Sequence, residues 1–309
     1  MQEKVRVYVG SDRSQLLAVK VLKHSIQRHT NLEVEVYPML DLPIRKPQDP
    51  RNWQRTGFSF SRFCIPKLAG YSGKAIYMDA DMLVFQDIAS LWNLPFDGAK
   101  VIIQGELPPQ HRQTSNKKGA PKQRIKQCAV MLLDCGRLDW DIEQIIDDLD
   151  SQKYDYEQLM YDLCILNEDT DIKYDIPFEW NSLEYYDKNT CLIHYTDMAT
   201  QPWVSCNNKY DYLWFNEVRL MLENGNLTLD ELNEEIRLKY FRKSLLRDLK
   251  YGKYIPSLLK PVFKQNLRYL DKKVKYKPHR EVYQLKKIRQ QAVKDYEESL
   301  PQKHQSASV

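Results

Sequence analysis

The segment from Lys74 to Phe85 reads KAIYMDADMLVF, an apolar run that two acids interrupt. The residues before the acids are typical of a core strand, and the apolar character resumes directly after them. Carboxylates at the end of such a strand are unfavourable without a partner. An i, i+2 pair in an extended turn can direct both carboxylates at one hard divalent cation with open positions. Asp79 and Asp81 are therefore predicted to bind a metal; the alternative is a pair of turn residues that cap a helix near Ile88.

The flanking segments predict an α/β fold. Residues 5–10 (VRVYVG) form an apolar, β-branched run, residues 15–28 place apolar side chains at helical spacing, and residues 32–38 alternate apolar and acidic side chains. Strand, helix, strand is the opening of a Rossmann-like sheet. Further strands are predicted at 101–105, 129–134 and 190–194, and helices at 62–69, 141–149 and 156–163. We expect a sheet with helices on both faces.

The composition is that of an enzyme-sized globular chain. Its 309 residues, 42% hydrophobic and 28% charged, suffice for one large α/β domain or two smaller ones, which excludes a disordered tail, a collagen-like fibre and a disulfide miniprotein. Tyr is abundant at 20 and Gly is scarce at 10, which disfavours Gly-rich dinucleotide loops. The six cysteines never form CxxC, and no run approaches the ~20 apolar residues of a membrane span. We expect reduced cysteines and a cytoplasmic protein.

Positive charge is concentrated near the C-terminus, which the net value of +4 conceals. Residues 237–294 contain 19 Lys or Arg against three acids, with aromatic and aliphatic residues interleaved. Such a basic amphipathic segment can lie on an anionic membrane surface, peripherally on the cytoplasmic face. The alternative is a solvated helical appendage packed on the preceding domain. No nucleic-acid module accompanies the segment, so nucleic acid is not an expected partner.

Three runs resemble the nucleotide-binding core of the family-8 glycosyltransferases, a group that includes glycogenin and the bacterial lipopolysaccharide galactosyl- and glucosyltransferases. They are residues 62–68 (RFCIPKL), 74–84 (KAIYMDADMLV) and 87–92 (DIASLW). The resemblance covers approximately residues 5–203. It implies a GT-A fold, a nucleotide-sugar donor, a bound Mn²⁺ with Mg²⁺ as the alternative ion, and transfer with retention of anomeric configuration.

The resemblance also implies roles for residues around the acidic pair. His194 matches the histidine that completes the metal site of Asp79 and Asp81, although a lone histidine at a strand end is more often structural. Asp12 matches an acid that contacts the nucleoside, and its alternative role is a helix N-cap. Arg62 matches an arginine that approaches the donor, with a surface ion pair as the alternative.

The expected nucleotide-sugar site contains five residues and departs from the family pattern at one of them. Its members are Asp12, Arg62, Asp79, Ala80 and Gln201. Many family members carry a Lys where this chain has Gln201, which can donate a hydrogen bond but cannot supply charge. Positive charge for the leaving group must then come from the metal, from Arg62, or from the basic loop 106–126, where Lys117, Lys118 and Lys122 are candidates. That loop is predicted to be either a mobile lid or a disordered excursion.

The acceptor half of the site matches the family only loosely. An Asp-Gln pair that sits near the reacting carbon in this family corresponds to Glu157-Gln158, with Asp162 as a competitor. Retention requires either a nucleophile on the opposite face of the sugar or attack by the acceptor from the face of departure. Glu157, Gln158 and Asp162 are therefore the candidate catalytic residues, and the sequence does not choose among them.

The predicted function is the transfer of a hexose from a UDP-sugar to a glycan, a lipid-linked or a protein acceptor. A catalytic domain over residues 1–205, a basic helical extension over 206–300 and a disordered tail over 301–309 are expected. One alternative is a sugar nucleotidyltransferase, although SDRSQ after the first strand is not a Gly-rich phosphate loop. The other is a non-catalytic nucleotide-sugar-binding or scaffold protein of the same fold.

Overall fold

The structure is a computed structural model, and it describes residues 4–107 and 126–300. The expected lid or disordered excursion falls almost entirely on residues 108–125, which lie outside the described residues. The candidate cations Lys117, Lys118 and Lys122 and the tail 301–309 lie outside them too.

The main sheet contains six strands in the described part of the chain, in the order β2-β1-β3-β6-β5-β7. The strands are β1 (Val5–Gly10), β2 (Val34–Met39), β3 (Lys74–Asp79), β5 (Val101–Gln104), β6 (Gln127–Asp134) and β7 (Ile172–Lys173). β1 pairs in parallel with both β2 and β3, as the strand-helix-strand opening predicts. β6 runs antiparallel to β3 and to β5. The sheet is therefore mixed, with a parallel half that begins the chain.

A smaller sheet of three described strands lies beside the main one, in the order β4-β9-β8. Its strands are β4 (Met82–Val84), β8 (Ser182–Leu183) and β9 (Leu192–His194). β4 and β9 are antiparallel, and their register places His194 opposite Met82. The chain leaves β3 at Asp79 and enters β4 at Met82, so two residues, Ala80 and Asp81, connect the sheets.

The helices cover both faces of the main sheet, as expected. They are α1 (Leu16–Arg28), α2 (Ile65–Leu68), α3 (Ala89–Trp92), α4 (Ile142–Asp150), α5 (Glu168–Asp171), α6 (Asp211–Glu223), α7 (Leu229–Arg237), α8 (Leu245–Tyr251), α9 (Lys260–Lys273) and α10 (Arg280–Ser299). Alternate β3 residues face opposite sides: Tyr77 packs in the hydrophobic cluster that contains α4, and Ile76 in the one that contains α1. Within residues 4–107 and 126–300, no helix combines the length and the apolar character that a membrane crossing requires.

A third hydrophobic cluster joins the sheet region to the C-terminal helices. It contains Leu83 and Ile193 from the small sheet together with Trp203, Trp214 and Phe241. Trp203, Trp214 and Phe241 lie mutually within 6.2 Å, centroid to centroid. The chain is helix-rich after Trp203, as the sequence suggests, and the boundary at residue 205 stays a prediction.

The helix expected over 156–163 has a different form. The chain makes a π-helical turn at Gln158–Asp162 and ends it at Leu163, whose φ is +50°. A left-handed residue at this position stops further helix growth. Apolar spacing alone does not distinguish such a wide turn from an α-helix.

Gly10 provides a test of packing at the end of β1. A Cβ on Gly10 would lie 2.6 Å from the hydroxyl oxygen of Tyr77 and 3.1 Å from Phe58. We expect Gly10→Ala to lower the free energy of unfolding by about 1–3 kcal/mol because the crowded side chains must shift. Gly57→Ala is the control, since a Cβ there meets nothing within 4 Å. Urea denaturation measures both; equal losses in the two variants would contradict the packing argument.

Candidate functional site

Asp79 ends β3 and is held by residues of the sheet interior. Its Oδ1 accepts a hydrogen bond of 2.6 Å from the Tyr77 hydroxyl. Arg62 donates to that hydroxyl at 3.1 Å and to the Cys128 carbonyl at 2.7 Å, and its guanidinium lies 3.9 Å from the Asp79 carboxylate. Burial raises the pKa of Asp79, and the positive charges of Arg62 and His194 offset only part of this rise. Arg62 is only 8% exposed, so its alternative role as a surface ion pair does not apply.

The β4–β9 register brings His194 to the acidic pair. Its Nε2 lies 3.1 Å from Asp81 Oδ1 and 3.8 Å from Asp79 Oδ2. One ligand atom from each of the three side chains lies within 4.8 Å of the others. Burial alone would lower the pKa of His194, but the carboxylates of Asp81 and Asp79 raise it overall. The three residues predicted to hold a metal are thus adjacent in the folded chain.

Asn181 orients the imidazole, a role that the sequence analysis did not assign. The Nδ1 of His194 lies 3.0 Å from Asn181 Oδ1, and Asn181 Nδ2 donates to Gln104 Oε1 at 2.7 Å. This chain of bonds makes Nδ1 a hydrogen-bond donor, so Nε2, which faces the carboxylates, is the nitrogen that can lose its proton and bind a metal. Asn181 follows Trp180 in the 3₁₀ turn Phe178–Asn181.

Gln201 contacts Asp81. Its Nε2 donates to Asp81 Oδ2 at 2.7 Å and to the Tyr195 carbonyl at 3.0 Å. The side chain is fully buried, and its Oε1 has no hydrogen-bond partner among the described residues. Gln201 therefore positions a carboxylate at the site where the family commonly has a positive charge.

Asp12 caps the first helical turn. Its Oδ1 accepts from the Ser14 amide at 2.8 Å and from the Ser14 hydroxyl at 2.5 Å. The alternative role that the sequence left open is therefore present, and the nucleoside contact stays a prediction.

His279 approaches the same region from the C-terminal segment. Its Nε2 lies 2.8 Å from the Met198 carbonyl oxygen. Burial lowers its pKa, and that carbonyl and the charges of Asp12 and Asp81 oppose the effect. Nothing in the local sequence around this histidine indicates the placement.

The candidate catalytic residues lie in and beside the π-helical turn. Asp155 Oδ1 accepts from the amides of Glu157 and Gln158 at 2.8 and 2.9 Å, and Gln158 Oε1 accepts from the Asp155 amide at 2.9 Å. This reciprocal pair caps the turn. Glu157 is exposed, and the Asp162 carbonyl accepts from Lys126 at 2.8 Å. Among the contacts of the described residues, none joins the side chains of Glu157, Gln158 or Asp162 to the acidic pair.

The sequence and the fold of the chain are similar to those of known proteins. The family model for glycosyl transferase family 8 matches residues 7–206. Protein CDI of Arabidopsis thaliana is 28% identical over 234 residues, which are 69% of this chain and 85% of that protein. The galactosyltransferase LgtC, solved with donor and acceptor sugar analogues, is 15% identical; the match covers 75% of this chain and all of LgtC, with a TM-score of 0.51.

A second solved structure, the apo bifunctional glycosyltransferase WbbM, is 14% identical with a TM-score of 0.45. That match covers 70% of this chain and 52% of WbbM, so the chain spans about half the length of that protein. The fold is that of the GT-A glycosyltransferases. The chain belongs to glycosyl transferase family 8, and its function is glycosyl transfer.

The role of Gln201 as a hydrogen-bond donor to Asp81 can be tested without a ligand. Gln201→Glu replaces the amide donor by a carboxylate oxygen that faces Asp81 Oδ2 and the Tyr195 carbonyl. We expect the free energy of unfolding of the metal-free protein to fall by about 1–3 kcal/mol, because buried acceptors lose their donor. Gln265→Glu adds the same charge at an exposed position and should change the free energy of unfolding by less than about 0.5 kcal/mol. Equal effects of the two substitutions in urea denaturation would show that Asp81 does not depend on Gln201.

Proposed function

We propose that the protein transfers a hexose from a UDP-sugar, with retention of configuration, to a glycan, lipid-linked or protein acceptor, and that Mn²⁺ bound by Asp79, Asp81 and His194 assists the transfer. The observation that carries this proposal is the convergence of three ligand atoms within 4.8 Å where the chain passes between the two sheets. Mg²⁺ is the alternative ion.

The donor set fits a divalent cation of this kind. Two carboxylates supply hard oxygen ligands, and the neutral imidazole nitrogen favours Mn²⁺ over Mg²⁺. Asn181 fixes the histidine tautomer that a metal requires. Burial raises the pKa of Asp79 by more than Arg62 and His194 lower it, and the repulsion from Asp81 adds to the rise, so the site would accept further positive charge. When bound, the ion would stabilise the negative charge that develops on the departing diphosphate.

Each proposed ligand has a dedicated positioning residue. Tyr77 donates to Asp79, Asn181 accepts from His194, and Gln201 donates to Asp81. Hydrogen bonds of this type orient the ligands before the substrate arrives, so less reorganisation is needed during the reaction.

The remaining contacts with the nucleotide-sugar donor are proposed from the same geometry. Ala80 is 1% exposed and packs in the core, so its contribution would come from its main chain. Arg62 would act mainly by holding Tyr77 and Asp79. Asp12 keeps its proposed nucleoside contact in addition to its capping role. Glu157, Gln158 and Asp162 remain the proposed residues of the reacting centre.

The metal site is tested by substituting its carboxylates. We expect Asp79→Asn and Asp81→Asn each to reduce release of UDP from a UDP-sugar by at least about a hundredfold, which corresponds to roughly 3 kcal/mol of transition-state stabilisation. Both should also abolish the Mn²⁺-dependent rise in melting temperature with UDP. Asp169→Asn is the matched control, because Asp169 and Asp171 are another i, i+2 pair and Asp169 is exposed.

The same measurements separate the alternatives. An active Asp81→Asn variant would refute the metal role. The absence of a metal-dependent melting shift with any UDP-, GDP-, ADP- or CMP-sugar would favour a non-catalytic protein. Formation of a nucleotide sugar from a nucleoside triphosphate and a sugar phosphate would identify a nucleotidyltransferase.

We further propose that residues 237–294 contact an anionic membrane surface on its cytoplasmic side. The first part of this segment packs inward through Phe241, Leu245 and Leu249. From residue 251 onward, large apolar side chains are exposed between the lysines and arginines; they are Tyr251, Tyr254, Leu258, Leu259, Val262, Tyr269, Val274, Tyr283, Leu285 and Ile288. Exposed apolar groups beside basic residues suit the interface of an anionic bilayer.

Vesicle sedimentation tests the membrane proposal. The protein should bind phosphatidylglycerol vesicles more strongly than phosphatidylcholine vesicles and should dissociate at high salt. Leu258→Asp should weaken binding, because Leu258 is 88% exposed and its apolar contact is replaced by a repelled charge. Leu229→Asp alters an exposed residue outside the segment and should have no effect. Equal binding to both vesicle types would contradict the proposal.

A further inference from the structure

A cavity of about 450 Å³ lies beside the candidate catalytic residues Glu157 and Gln158. Its lining comes from three parts of the chain: Asp49, Arg51, Asn52 and Arg55; Gln152, Tyr154, Asp155, Tyr156, Glu157 and Gln158; and Arg289 of α10. Arg289 donates to the Arg51 carbonyl at 3.0 Å, and the Arg51 guanidinium lies 5.4 Å from the centre of the Tyr296 ring. These contacts dock α10 against the loop that forms one wall. α10 lies beyond residues 7–206, the part of the chain that matches the family model.

Two guanidinium groups of this cavity lack a carboxylate partner. Arg51 is neutralised by Asp49, which it contacts through two nitrogens. In residues 4–107 and 126–300, no carboxylate lies within ion-pair distance of Arg55 or Arg289. Arg55 lies over the Tyr156 ring, 4.0 Å from its centre. The Nε of Arg289 is buried and has no hydrogen-bond partner among the described residues.

The positive charges of Arg55 and Arg289 also repel each other. Burial, and then the positive charge of Arg55, lower the pKa of Arg289. Asp49 opposes this lowering, but it is already paired with Arg51, and Asp155 is bonded through Oδ1 to two backbone amides. Glu157, the remaining acid of the lining, is exposed and is a candidate for the reacting centre. An anion between the guanidiniums would relieve their repulsion and accept charge-assisted hydrogen bonds from them.

We infer that this cavity binds the acceptor through an anionic group, a phosphate or a carboxylate, held by Arg55 and Arg289. The inference rests on the proposed glycosyl transfer, because it assigns the cavity beside Glu157 and Gln158 to the acceptor. Guanidinium groups form paired, charge-assisted hydrogen bonds with both kinds of anion. The basic C-terminal segment thereby contributes to acceptor specificity through a residue outside the part that matches the family.

The test measures binding of inorganic phosphate, glucuronate and neutral glucose to the full-length protein by titration calorimetry. We expect both anions to bind and glucose not to bind. Arg289→Gln and Arg55→Gln should each weaken anion binding about tenfold or more, whereas Arg289→Lys, which retains the charge, should restore part of it. Arg247→Gln removes the same group from an exposed position and should leave the affinity unchanged. Melting temperatures of all variants report whether they fold.

The outcomes distinguish the source of the anion. Tighter binding of phosphate indicates a phosphorylated or lipid-phosphate acceptor, and tighter binding of glucuronate indicates an acidic glycan. Absence of anion binding, or equal losses in Arg247→Gln and Arg289→Gln, would overturn the inference. Binding of UDP with Mn²⁺ to the unsubstituted protein is measured separately. If only that binding is absent, the proposed donor chemistry fails while the anion site stands.

Discussion

The desolvation and mutual repulsion of two half-buried carboxylates, at the point where the chain passes between its two sheets, form the constraint on which the rest of the site depends. Asp79 and Asp81 are separated by one buried residue, Ala80, and each adjoins a strand, so the backbone holds both side chains at the same site. Each carboxylate accepts a hydrogen bond from a neighbouring side chain: the Tyr77 hydroxyl donates to Asp79, and the Gln201 amide donates to Asp81. The raised pKa of Asp79 indicates that these donors do not cancel the unfavourable burial of charge. A divalent cation is the partner that would do so.

The sequence correctly predicts the elements that depend on short local patterns. The strands on both sides of the acidic pair, the opening strand-helix-strand unit and the terminal strand carrying His194 are confirmed, because each is a short apolar run with a clear end. The π-helical turn at Gln158–Asp162 was predicted as an ordinary helix, since apolar spacing does not report a left-handed stop at Leu163. The contacts of Asn181 and His279 were beyond prediction because they join residues distant in sequence through single hydrogen bonds.

Gln201 illustrates how one substitution changes the electrostatics of a site without removing a contact. A lysine at this position would supply positive charge, whereas the amide supplies one donor to Asp81, and its own oxygen has no hydrogen-bond partner among the residues that the structure describes. The site would therefore depend more heavily on the proposed cation and on Arg62 for positive charge. Arg62 is itself buried and already bonded to Tyr77 and Cys128, so it has limited freedom to follow a departing diphosphate. The proposed metal would therefore provide most of the stabilisation of the negative charge on the departing diphosphate.

The two proposals for the C-terminal segment converge on α10. Arg289 lines the cavity beside Glu157, while Tyr283, Leu285 and Ile288 on the same helix are exposed. Residues 285 and 289 are one turn apart, so the apolar surface lies close to the rim of the anion-binding cavity. A lipid-phosphate acceptor would use both features at once, with its chains in the bilayer and its phosphate between Arg55 and Arg289. A free acidic glycan would use only the cavity and would leave the exposed apolar residues without a role. A lipid-phosphate acceptor would therefore connect the proposed membrane contact and the proposed anion site through one ligand.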